Sequence, residues 1–180
     1  MGKFMRRVES IDAAFDEFIE PLRNFRPAVY AFNTASAVGD FGSIWHVLGV
    51  VGAVTGLLEW SQTLVLAVLM GIESLTLNQG VKRLFRRSRP TVAGDDRFTV
   101  RRPLTSSFPS GHSSSAFFAA VIVSGWFSAP LIVVTFILAF IIALSRVAVR
   151  IHHLSDVVAG AAIGALLGAV ALGFTRGIGA

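Results

Sequence analysis

The chain has 180 residues, a net charge of +5 and no cysteine. At 53% hydrophobic residues and a mean hydropathy of +0.67 it is too apolar for an ordinary soluble domain, and 1–180 reads as a single membrane-embedded domain. The missing thiols exclude disulfides, thiolate catalysis and cysteine-bound zinc, and no soluble basic domain is present to carry nucleic-acid binding.

Residues 8–25 place Val8, Ile11, Phe15, Phe18, Ile19 and Leu22 at three- and four-residue spacing, with Glu9, Asp12, Asp16, Glu17 and Glu20 on the other face. That pattern predicts an amphipathic helix, too polar to span, lying at the interface or capping a bundle. The chain's first residues mix bases with acids and lack an apolar core, so they do not read as a signal peptide, and insertion falls to the internal segments. Pro27 and the turn-like Gly39-Asp40-Phe41-Gly42 follow.

Five spanning segments come next, at about 43–59, 62–80, 112–127, 131–149 and 155–174. Trp60-Ser61 makes a tight turn between the first two, and Pro130 opens the fourth. The fifth carries Gly160, Ala161, Ala162, Gly164, Ala165 and Gly168, which suits close helix packing. The predicted fold is therefore all-α: a polytopic transmembrane bundle of about five spans within 43–175, plus the amphipathic helix. Trp45, Trp60 and Trp126 fall near helix ends, as interfacial anchors do. Glu73 is read as facing the bundle beside a polar partner, and His46 as a histidine without a functional role.

Five crossings put the N-terminus, the long polar loop 82–108 and the segment around 145–156 on one face. Every lysine and arginine except Arg176 then lies there, 15 of 16, and setting aside Lys82, Arg89 and Arg146 still leaves 12 against 1. By the positive-inside rule the loaded face is cytoplasmic. A structureless loop as long as 82–108 is usually functional.

Three polar stretches interrupt the apolar pattern. Charge near lipid is costly and is retained mainly for function. In the first, Lys82 and Arg89 stand seven apart, and Pro90 fixes where Arg89 leaves the helix. Alone, the run also reads as a basic cluster at the membrane edge. In the second, Pro109-Ser110-Gly111-His112 opens a helix whose first amides lack partners, an anion site in form. Alone, it also reads as a capping turn with a surface histidine. In the third, Arg146 ends a helix, and His152 and Asp156 are one helical turn apart, so the carboxylate can reach the ring. His153 is three residues from Asp156, and spacing does not exclude it.

Together, in this order, the stretches resemble the signature of the type 2 phosphatidic acid phosphatase superfamily. Lys82, Arg89 and Pro90 match its first motif, Pro109 to His112 its second, and Ser145, Arg146, His152 and Asp156 its third. The third motif selects His152 over His153. The resemblance implies a phosphatase acting on a lipid phosphate monoester or pyrophosphate, polyprenyl- or phosphatidate-linked, with membrane lipids around it. It implies that His152 attacks phosphorus, Asp156 orients it, and His112 protonates the leaving oxygen. Lys82, Arg89, Ser110, Gly111 and Arg146 would hold the phosphoryl oxygens. No metal or other cofactor is expected, and Asp95 and Asp96 read as solvated loop residues. Many family members have six spans and an outward site, whereas this chain replaces the first span with an amphipathic helix. Two alternatives share the scaffold: a non-catalytic lipid-binding or lipid-moving protein, and a vanadate-dependent haloperoxidase.

Overall fold

The computed structural model describes residues 2–90, 95, 97–100 and 105–175, and within them every regular element is helical. Arg101, Arg102 and Arg176 of the charge tally, and Asp96, lie outside the described residues.

Helix α1 (Lys3–Arg23) covers the predicted amphipathic segment and begins earlier. Its inward face is mixed, with Ile19 buried in a core cluster and Phe15 packed against that cluster, while Glu9 and Glu17 are exposed. Asp12 and Arg23 are buried, whereas Phe4, Phe18 and Leu22 are exposed. Arg23 donates to the carbonyls of Ala148 (2.8 Å) and Val147 (3.0 Å). It also pairs with Asp16 (2.5 Å) and Glu20 (2.8 Å). A guanidinium on terminal helix carbonyls satisfies acceptors that have no partner within their own helix. So α1 caps the bundle through its charges and through Ile19 and Phe15, and leaves Phe4, Phe18 and Leu22 outward.

Helix α2 (Arg26–Val38) was not predicted, because Pro27 reads as a breaker. Pro27 instead sits in the first turn, where a missing N–H costs nothing. A 3₁₀ turn at Asp40–Gly42, with positive φ at Phe41 and Gly42, leads into α3 (Ser43–Val54). The two helices bend by 58° and are long and apolar enough together for one span. The predicted span 43–59 is thus the second half of a broken one.

Helix α4 (Trp60–Leu75) starts at a capping box between Glu59 and Gln62 and continues through a π turn at Thr76–Gly80 and a 3₁₀ turn at Val81–Leu84. Then come α5 (Gly111–Val123), α6 (Ala129–Ala148) and α7 (Leu154–Thr175). Among the described residues only α6 and α7 are long and apolar enough to cross a membrane singly, while α4 and α5 are apolar but shorter. Five apolar segments remain among the described residues, one bent and two shorter than a full span.

Helix α5 is the centre, with Ala116, Ala119, Ala120 and Ile122 fully buried. It runs parallel to α7. A Cβ added at Gly160 would overlap the carbonyl of Ser110, and one at Gly164 that of Ser114. The small-residue stripe therefore brings two backbones together. Trp45 is 1% exposed and packs in this core with Leu66 and Met70, so it is a core residue and not an interfacial anchor. The outer surface shows Leu64, Val68, Ile137, Phe140, Leu166 and Val170, as a lipid-facing surface requires.

Candidate active site

The C-terminal ends of α4 and α6 meet the N-terminal ends of α5 and α7, and the three polar stretches sit at those ends. Lys82 is buried on the 3₁₀ turn after α4. Burial, reinforced by the charges of Arg89 and Arg146 and opposed by Glu73 and Asp156, pushes its ammonium down to about 8. Arg89 donates to the carbonyls of Ile151 (2.9 Å), Thr105 (3.1 Å) and Ser106 (3.4 Å), and its Nη1 lies 3.3 Å from Nε2 of His152. It fastens the loop to the turn between α6 and α7.

Arg146 is 1% exposed. Its Nη1 bonds to the hydroxyl of Ser36 on α2, while Nε and Nη2 have no partner. Buried donors are rarely left unmade, and a guanidinium with two such nitrogens has the chemistry to bind an anion. Ser110 caps α5: its Oγ accepts from Ser113 N (3.4 Å) and Ser113 Oγ (2.9 Å), and its N–H donates to the carbonyl of Asp156 (3.0 Å). Gly111 is the first residue of α5, and His112 the second. Nε2 of His112 lies 2.7 Å from Asp40 at the α2–α3 break.

His152 is 2% exposed, in the turn before α7. Burial lowers its basicity, Asp156 pulls the other way, and Arg146 and Arg89 add to burial, so the ring is held neutral. Its Nδ1 is 3.6 Å from Asp156 Oδ2, a charge contact longer than a hydrogen bond. The hydroxyl of Ser107 stands between them, 2.5 Å from Asp156 Oδ2 and 3.4 Å from His152 Nδ1. Asp156 Oδ2 also accepts from the backbone N–H of His153 (2.9 Å), closing the first turn of α7. His153 thus contributes its backbone to Asp156, and His152 brings its ring.

A cavity of about 420 Å³ opens beside this centre, lined by Lys82, Gly111 and His112 together with Asp40, His46, Glu73 and Ser74. Ala67, Met70 and Leu77 give it an apolar side. Glu73 is buried and accepts from Ser114, and His46 sits on the cavity wall. A second, basic groove of about 670 Å³, lined by Arg83, Arg86 and Arg87, meets the first at Lys82 and Thr105. Ser36, Asp40, Arg87 and Ser107 were all missed. Each reaches the site through a fold contact that no spacing encodes. Asp95 is not simply solvated: it pairs with Arg97 (2.6 Å) and lies 3.7 Å from Arg150.

The sequence profile of the PAP2 superfamily matches residues 61–178. The chain belongs to the PAP2 superfamily. Decaprenylphosphoryl-5-phosphoribose phosphatase of Mycobacterium tuberculosis is 33% identical over 148 residues, covering 81% of this chain and 80% of that protein. Among solved PAP2 structures, Aquifex aeolicus LpxE superposes with a TM-score of 0.68 at 24% identity, over 87% of this chain and 93% of that one. The first transmembrane PAP2 type phosphatidylglycerolphosphate phosphatase from Bacillus subtilis gives 0.61 at 20% identity over 96% of each chain. These two likenesses speak to the fold. The PAP2 chain is accordingly a membrane-associated lipid phosphatase, a hydrolase of phosphoric monoesters.

Proposed function

We propose that this PAP2 enzyme removes the terminal phosphate of a polyprenyl-linked sugar phosphate at the cytoplasmic face, through a phosphohistidine at His152. The mycobacterial relative's name supports the substrate class. The cavity supports it too: polar side chains of Asp40, His46 and Ser74 beside His112 suit a hydroxylated leaving group, and the apolar side suits the chain beyond it.

The observation that carries the chemistry is Arg146, buried with two unpartnered nitrogens at the end of the helix that leads to His152. A phosphoryl group held there by Arg146, Lys82, Arg89, Ser110 and the first amides of α5 has its spreading charge met by fixed donors. Neutral His152 attacks phosphorus through Nε2. The bond from phosphorus to the leaving oxygen breaks, and His112 gives that oxygen its proton. Asp156 stabilises the positive charge that develops on the ring. In the second step water attacks phosphorus, His112 takes its proton, and the P–N bond breaks. Inorganic phosphate and the lipid alcohol are released, and His152 returns neutral. Residues 1–180 act as one unit, because α1 reaches into the same network.

The test is phosphate release by the purified protein from a panel of polyprenyl-phosphosugar phosphates, polyprenyl phosphates and phosphatidates. The sugar phosphate should give the highest kcat/KM, and His152→Ala and His112→Ala should each abolish most turnover. Full activity in His152→Ala would overturn the mechanism. For sidedness, the cysteine-free chain takes Ser10→Cys or Thr55→Cys. In intact cells an impermeant thiol reagent should label only the second, and labelling of the first sinks the cytoplasmic assignment.

A further inference from the structure

Behind Asp156 stand Arg87, which touches it, and Asp12, which touches Arg87; neither is a fixed position of the three motifs. Arg87 donates through Nη1 to Asp156 Oδ1 (2.6 Å) and through Nη2 to Asp12 Oδ2 (2.7 Å). Asp12 belongs to α1 and is 5% exposed. Its Oδ1 accepts the backbone N–H of Ser155 (2.8 Å) and its Oδ2 the hydroxyl of Ser155 (2.7 Å), and that hydroxyl is also 2.7 Å from Arg87 Nη1. The main chain of Arg87 is tied as well, its N–H to Ser106 Oγ (3.1 Å) and its carbonyl to the N–H of Ser107 (3.0 Å).

These contacts grip the two oxygens of Asp156 from opposite sides. Arg87 takes Oδ1, and Ser107 and the His153 amide take Oδ2. A buried carboxylate is expensive unless charge and hydrogen bonds meet it. Arg87 is the cation that meets this one, and Asp12 is the second carboxylate that fixes the plane of the guanidinium. We propose that Arg87 and Asp12 are positioning residues for Asp156, through which the amphipathic helix α1 sets the aim of His152.

Docking of α1 alone does not require this arrangement. Arg23 on the carbonyls of α6, Asp16 on Arg150 (2.8 Å) and Glu20 on Arg97 (2.8 Å) already hold the helix in place. Loss of Asp12 should therefore leave α1 seated and act through Arg87. This assignment rests on the proposed roles of His152 and Asp156.

The test compares wild type, Asp12→Asn, Arg87→Met, Arg87→Lys, the Asp12→Asn/Arg87→Met double variant and His152→Ala in detergent micelles. Farnesyl phosphate is the substrate and inorganic phosphate the competing product. Arg87→Met should lower kcat by about ten- to a hundredfold, as loss of partners one layer behind a reacting group does, with KM and phosphate inhibition held. Arg87→Lys keeps the charge but cannot bridge two carboxylates, so it should recover part of the loss. Asp12→Asn should lower kcat less, and the double variant should match Arg87→Met within about twofold, because Asp12 then has nothing left to act through. Unchanged kcat in Arg87→Met overturns the proposal. So does a rise in KM and in the phosphate inhibition constant at constant kcat, which would make Arg87 a phosphate ligand. Additive losses in the double variant overturn the link to Asp12. If Arg87→Met does not fold, wild-type kcat in Arg87→Lys is the overturning result. Activity in His152→Ala defeats the underlying mechanism, whereas an inactive His152→Ala beside a fully active Arg87→Met defeats this inference alone.

Discussion

Ser107 donates its hydroxyl to Asp156 across 2.5 Å, on the same carboxylate oxygen that stands 3.6 Å from the imidazole of His152. The hydroxyl competes with the ring for that oxygen, so removing it frees the carboxylate to close on Nδ1. Ser107→Ala is expected to keep kcat within about a hundredfold of wild type, since it forfeits one hydrogen bond to a charged carboxylate, about 1.5–3 kcal/mol. Asp156→Asn should lose on the order of a thousandfold or more, because the ring then loses the anion that stabilises its charged form. Steady-state kinetics on the two variants separate an incidental bridge from an obligatory one.

Lys82 predicts an alkaline limit. Its ammonium is held down at about 8 chiefly by burial, and it is charged below that value and neutral above it. The phosphate grip should therefore weaken as pH rises through about 8. The loss appears in kcat/KM, which reports the free enzyme. Lys82→Arg keeps its charge throughout and should flatten this limb while lowering the plateau, because the fork does not place its donors where an ammonium does. A pH profile of kcat/KM unchanged between the two would show that Lys82 does not set the limit. His152 is held neutral by burial and should add no acidic limb near physiological pH.

Gly160→Ala and Gly164→Ala should each destabilise the protein by about 1–3 kcal/mol, because the new methyl meets backbone and not a movable side chain. Gly160→Ala should also cut activity, since the carbonyl it displaces belongs to Ser110. Gly173 has open space around it, and Gly173→Ala should be neutral or gain up to about 1 kcal/mol of helix stability. Thermal melting in detergent with parallel turnover measurements checks all three.

Asp40 holds Nε2 of His112 at 2.7 Å. Asp40→Ala should lower kcat by about tenfold, part of the contribution that a positioned general acid makes. Substrates with a good leaving group, such as an aryl phosphate, need no proton and should be spared. An equal loss on both kinds of substrate would assign Asp40 to phosphate binding or to the fold.

The apolar segments were legible because lipid imposes a composition on them, and α6 and α7 fell close to where their long apolar runs placed them. The proposed phosphate-holding residues drew notice in the sequence because charge set between apolar segments is costly and is retained mainly for function. What escaped the sequence depends on tertiary contact. Pro27 looked like a break and opened α2. Trp45 looked interfacial and fills the core. Arg87 looked like one more basic residue beside the membrane, and only the arrival of α1 beside α7 shows it bridging two buried carboxylates. His46 read as a lone histidine near a helix start, and only the fold shows it lining the cavity.

That bend divides the labour of the site. The proposed anion cradle draws on Lys82 after α4, Arg89 of the loop and the ends of α5, α6 and α7, with α5 and α7 locked by glycine contacts that tolerate no added atom. The opposite wall, with Asp40, His46, Ala67, Met70 and Ser74, belongs to the α2–α3 break and to α4. Asp40 apart, which holds His112, substitutions in that wall should retune which alcohol leaves more than how phosphorus is handled. A scaffold built this way can diversify its lipid partners while its chemistry stays fixed.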